Sequence, residues 1–222
     1  MAGVDAAYIA AWLLPLFVGG GVWTLLRGPA RGPADIAAAA GAGWLVGVLI
    51  AAACARFAAS ADTAHAFARA WPWCAAIGVA AWIAAAVRLR GHPHGFFVRP
   101  PSMRAALRIV WWLLLLWIVA RLALLGDEAS LRPVFPWDAW SAWAVKPKSW
   151  FLLGRAEPYV SMLDWLASPQ LATRTAASWG YPGLLAWIEL WFASAAGAWN
   201  EPLVDVAWCG ALAAFSLAAY GY

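Results

Sequence analysis

Six apolar runs dominate this chain, at about 6–26, 34–55, 71–89, 107–125, 180–199 and 202–222. A helix that crosses the hydrocarbon core of a bilayer needs about 20 predominantly apolar residues, and each run comes close to that length. No water reaches peptide groups inside a bilayer, so each run must satisfy its own N–H and C=O groups as a helix. The runs are continuous rather than alternating, which argues against a β-barrel. The predicted fold is therefore an all-α polytopic integral membrane bundle of about six transmembrane helices. Charge supports this: 12% of the residues are charged, against about 25% in a soluble domain, too few to cover a globule with hydrated groups. The 19 tryptophans agree, because the indole ring favours the membrane–water interface.

The net charge of +4 comes mainly from arginines in the connections between runs. That pattern points to membrane topology rather than to a nucleic-acid partner. Arg27 and Arg31 follow the first run, and Arg88, Arg90, Arg99, Arg104 and Arg108 follow the third. Placing both groups in the cytoplasm puts the N-terminus, loop 56–70 and the long stretch 126–179 on the external side. The expected organisation is a four-helix region at 1–126, an external loop at 127–179 and two further transmembrane helices at 180–222. The opening residues have no basic stretch, so the first run is read as a retained span rather than a cleaved signal. The last run ends at Tyr222 without a polar tail, which suggests the N-terminal part of a longer protein. Cys54, Cys74 and Cys209 lie in or beside apolar runs without metal-ligand spacing, and no disulfide framework is expected.

The external loop is not simply polar. Trp137, Trp140, Trp143, Trp150 and Trp165 alternate with Asp138, Lys146, Lys148, Arg155, Glu157 and Asp164. Such a mixture predicts short amphipathic helices lying on the membrane surface. Pro136 suits the first turn of one helix, and Pro147 is expected to end it. On such a helix Trp137, Trp140 and Ala144 share one face, with Trp143 at its edge. Asp138, Ala142 and Lys146 then lie about four residues apart along one face. Asp138 has two readings. It is a carboxylate able to take a proton from a hydroxyl nucleophile, or a negative charge that favours the start of a helix. Lys146 and Lys148 likewise suit a phosphate on a substrate, held as point charges, or the phosphates of lipid headgroups.

The segment WDAWSAWAVKPKSWF, beginning at Trp137, resembles the WDAWSxWxxKxK signature of bacterial GT-C type membrane glycosyltransferases. The nearest group is the one with a dolichyl-phosphate-mannose mannosyltransferase-like or RgtA/B/C/D-like domain. The later stretch from Tyr181 to Trp187, YPGLLAW, is similar to that group's DYPLLLPLLQAW. The two matches span about 137–192. The resemblance implies a GT-C-like fold and transfer of a sugar from a polyprenyl-phosphate donor to a glycan, lipid or protein acceptor on the external face. It implies Asp138 as catalytic base and Lys146 and Lys148 near the donor phosphate; Arg121 is a further donor-phosphate candidate, and Trp137, Trp140, Trp143 and Tyr181 are candidates for the substrate and membrane interface. It also implies the inner (plasma) membrane of a bacterium, with bilayer lipid as a partner. Ser178, Trp179 and Gly180 stand where the family often has His-Pro-Asp. An acid is therefore missing there, and Mg or Mn as a cofactor is left open.

The other ionisable residues also have more than one reading. Glu189 lies inside an apolar run, which is costly and marks it as a candidate second acid or a transport residue; it is also open to pairing between helices. Asp164 is a second-acid candidate or a helix-start residue. Arg121 is a phosphate ligand or an arginine that snorkels to the interface. Asp127 and Glu128 are expected at the outer exit of the fourth run, and Glu201 and Asp205 at the cytoplasmic end of the sixth. His92 and His94 have no partner cluster that would make a metal site. Two other functions stay open: a non-catalytic or degenerate partner module, and a small transporter using Glu189 and Arg121.

Overall fold

The computed structural model describes residues 5–30, 32–90, 105–131, 143–167 and 173–221. These residues form α1 (Ala6–Arg27), α2 (Pro33–Ala59), a 3-10 turn (Thr63–His65), α3 (Ala66–Leu89), α4 (Ala105–Leu131), α5 (Val145–Leu153), α6 (Met162–Ala167), α7 (Gly183–Ala195) and α8 (Glu201–Gly221). Among the described residues five helices are long and apolar enough to cross a membrane: α1, α2, α3 with its preceding turn, α4 and α8. The chain is thus an all-helical membrane protein.

Helices α1 and α2 meet backbone to backbone. A Cβ on Gly19 would lie 1.6 Å from the Gly43 carbonyl oxygen, and one on Gly47 would lie 1.8 Å from that of Pro15. Lipid gives apolar helices no hydrophobic reason to associate, so close approach through small residues has to supply the contact. Pro15 sits inside α1 and has no N–H for the carbonyl of Ala11, one turn back. The indole of Trp191, on α7, donates to that oxygen at 3.0 Å. Trp44 donates similarly to the Trp12 carbonyl at 3.2 Å, with the two indoles stacked at 5.7 Å. Trp82 donates to the Phe17 carbonyl at 2.9 Å. Tryptophans expected at the interface therefore also serve as donors between helices.

The run 180–199 behaves differently from the other five. It forms a helix of 13 residues, nine of them buried, about 20 Å long at 1.5 Å per residue and too short for a bilayer core of about 30 Å. Both of its ends lie at one end of the bundle. Near its start, Trp187 meets Trp150 at 5.4 Å. Near its finish, the hydroxyl of Ser194 accepts from the Phe67 N–H at 2.8 Å, satisfying a first-turn donor of α3. Gly197 then takes a positive φ of 70° and the chain turns into α8.

This redirects the last helix. Tyr8, at the start of α1, donates to the Leu203 carbonyl at 2.7 Å, at the start of α8. The other tip of α8 reaches the start of α2, where a Cβ on Gly221 would meet that of Ala38 at 2.3 Å. Two sequence expectations change accordingly. The run 180–199 is a buried helix rather than a span, and Glu201 and Asp205 lie at the end of the bundle that carries residues 143–181. Opposite, Arg88 caps α1 by donating to the Leu25 carbonyl. Helix α4 packs chiefly on α8 and continues through Asp127 and Glu128 to Leu131.

Candidate functional site

The site is built where residues 143–167 and 173–187 fold over the ends of α2, α3 and α7. The turn before α3 anchors them: the Thr63 N–H donates to the Gly154 carbonyl at 3.0 Å, and the Ala156 N–H to the Ser60 carbonyl at 2.8 Å. The Thr63 hydroxyl donates to the Trp150 carbonyl. Pro147 does not end a helix here. It is the third residue of α5, within the first turn, where a missing N–H costs nothing. The Lys148 N–H closes that turn on the Ala144 carbonyl at 3.0 Å.

Lys146 is 6% exposed. Its ammonium donates to the carbonyls of Trp179 at 2.8 Å and Tyr181 at 2.7 Å. It also lies 5.5 Å from the centre of the Tyr159 ring. Burial pulls its pKa below the ordinary lysine value. Trp143 and Tyr181 pack ring on ring at 4.7 Å, both partly open to the surroundings. The described part of the first stretch singled out above, from residue 143 on, is thereby brought against the second, 181–187.

Lys148 points elsewhere. Its amine pairs with the Glu201 carboxylate at 2.6 Å, the lysine half-exposed and the glutamate less so. A third ionic group was not evident from the sequence. Glu157 is buried between Arg155, at 2.8 Å, and Arg174. Arg155 and then Arg174 hold its carboxyl below the usual range. A parallel bridge between Tyr159 and Arg174 fixes this pairing, with the Val160 N–H donating to the Arg174 carbonyl at 2.9 Å. Arg174 is 17 residues from Glu157, so only the fold makes them neighbours.

The remaining candidates scatter. Asp138, Trp137 and Trp140 lie outside the described residues, as do His92 and His94 and the face expected to join Asp138 to Lys146. Arg121 is on the exposed side of α4, with its guanidinium 6.0 Å from the Trp117 ring. Asp164 is at the start of α6, where it accepts from the Ser161 hydroxyl at 2.6 Å while its own N–H donates back at 3.1 Å. That reciprocal pair is a helix-start arrangement. Glu189 is 3% exposed on α7, with Asp205 as its charged neighbour. One of its carboxyl oxygens has no partner. Among the described residues no three His, Cys, Asp or Glu side chains converge in a way that could hold a metal ion.

No family model, no curated protein and no solved structure matches this chain.

Proposed function

We propose that this chain is a GT-C-like membrane glycosyltransferase, or the N-terminal part of one, that uses a polyprenyl-phosphate sugar donor. One observation carries the reading. The two stretches that resemble the family motifs, 44 residues apart by their first members Trp137 and Tyr181 in the sequence, converge through Lys146, Trp143 and Tyr181 at one end of the helix bundle. In this reading Asp138 removes the proton from the acceptor hydroxyl as the sugar leaves its phosphate. The aromatic pair Trp143 and Tyr181 faces the glycan or the lipid interface. Lys148 is the cation for the donor phosphate, released from Glu201 when the donor binds. Lys146 positions the loop through its two carbonyls rather than meeting the phosphate itself. The loop end of the bundle is external, and the membrane is the inner membrane of a bacterium, as the arginine distribution suggests.

Replacing the base tests this directly. Full-length protein carrying Asp138→Asn should lose at least a hundredfold in sugar transfer from a polyprenyl-phosphate donor, since general base catalysis contributes about 10²–10⁴. Transfer at the wild-type rate would rule out Asp138 as the base.

The occupied amine of Lys146 and the closed Lys148–Glu201 pair favour a second reading, a non-catalytic partner module. The two differ in donor binding. The enzyme should bind a polyprenyl-phosphate lipid with an affinity that falls on Lys148→Met, whereas the module should show no such dependence.

A further inference from the structure

Arg121 is a charge that the candidate site does not use. Its helix, α4, packs chiefly on α8. The groove between them is lined by Trp111, Leu115 and Leu122 from one side and Leu217 and Tyr220 from the other. Arg121 directly precedes Leu122, so it stands about 100° round the helix from that packed stripe, and it is exposed. Its depth follows from the helix length. Trp111, whose ring meets that of Tyr220 at 5.3 Å, is ten residues before it, and Leu131, the last residue of α4, is ten residues after it. Each interval is about 15 Å at 1.5 Å per residue. A hydrocarbon core is about 30 Å thick, so Arg121 stands near the middle of the span.

The side chain does not leave the apolar zone by reaching outward. Cβ atoms on a helix tilt toward its start, and the guanidinium lies 6.0 Å from the ring of Trp117, one turn back. It is thus directed away from the acidic end of α4 at Asp127 and Glu128. Among the described residues it has no hydrogen bond and no ion pair. A guanidinium has five N–H donors and no acceptor. Charged groups within spans are costly, and they pair or face the interior of a bundle. Arg121 does neither within this chain.

We propose that the Arg121 face of α4 docks a second transmembrane helix that carries an Asp or Glu near its middle. A carboxylate at that depth accepts two parallel N–H bonds from the guanidinium. Leu114, Leu124 and Leu125, exposed at seven residues before and three and four after Arg121, pack on the turns that flank the pair. Charge and depth together select this partner over a second copy of the chain. On the described long helices Asp35, Asp127, Glu128, Glu201 and Asp205 all fall in the first or last five residues, and mid-bundle Glu189 is buried.

A model partner tests this. A leucine-rich transmembrane peptide of about 21 residues with a single central Glu, and its twin with Gln, are mixed with full-length protein in phosphatidylcholine vesicles. Energy transfer from the labelled protein to each labelled peptide measures association. The wild type should bind the Glu peptide about tenfold or more tightly than the Gln peptide. Arg121→Leu should bind the two equally, and Arg121→Lys, a charge without the fork, should keep part of the preference. Because Arg121 has no polar partner in the fold, Arg121→Leu should melt in micelles like the wild type. Equal binding of both peptides by the wild type, or an undiminished preference in Arg121→Leu, would overturn the proposal. Self-association of the wild type that Arg121→Leu abolishes would also overturn it, by giving the face to a second copy.

Discussion

Lys146 shows how one side chain can be chemically prominent in the sequence and structural in the fold. Its motif position marks it for phosphate, yet its amine serves two backbone carbonyls from a buried position. Lys146→Met leaves the oxygens of Trp179 and Tyr181 without their donor, which should cost about 1–3 kcal/mol of stability. Lys148→Met, at a half-exposed pair, should cost less than about 1 kcal/mol. Denaturation in detergent micelles measures both. The pH dependence follows from the direction of the Lys146 shift. Its folded pKa lies below the ordinary lysine value, so between the two values the unfolded chain binds more protons. The contribution of Lys146 to stability therefore rises with pH across that window, up to about pH 10.4, and Lys146→Met should flatten that rise. Comparing the pH profiles of the wild type and the variant checks the sign. The sequence offered the lysine and its spacing. It could not offer the carbonyls, because any backbone oxygen within reach would have served.

Among the elements, α1 and α7 depend on each other. Pro15 opens a gap in the hydrogen bonding of α1, and Trp191 fills it from 180 residues away. Trp191→Phe should destabilise the fold by about 1–3 kcal/mol through the unpaired Ala11 carbonyl, apart from any packing loss. Pro15→Ala supplies the missing N–H within α1. In that background the cost of Trp191→Phe should shrink, giving a coupling energy of about 1 kcal/mol or more in a double-mutant cycle. A cycle with no coupling would mean that Trp191 acts by packing alone. Pro15 was readable as a break within a span, but the identity of its donor was not, since the chain has 19 indoles that could have filled the role.

For the whole molecule, the decisive difference is the number of crossings. With α7 buried, the start of α8 lies beside the loop end, as the Lys148–Glu201 and Tyr8–Leu203 contacts require. In a variant lacking the native cysteines, Asp62→Cys and Glu201→Cys should label from the same side of sealed vesicles with a membrane-impermeant thiol reagent. Six crossings would put them on opposite sides. Leu113, Leu116 and Trp117 on α4 stay exposed, as a lipid-facing helix allows.

The sequence by itself determined that long apolar helices fill a membrane, because no other structure satisfies their peptide groups there. It also offered 137–151 and 181–187 as stretches that resemble the motifs of one family. Only the tertiary structure decided that 180–199 turns back within the bundle, that Lys146 is a tie rather than an open cation, and that Glu157 takes Arg174. The physical reason is the same in each case. An apolar run leaves water equally well for lipid or for protein, and a polar group accepts any partner of the right chemistry. Which of these it meets is set by residues far away in the chain.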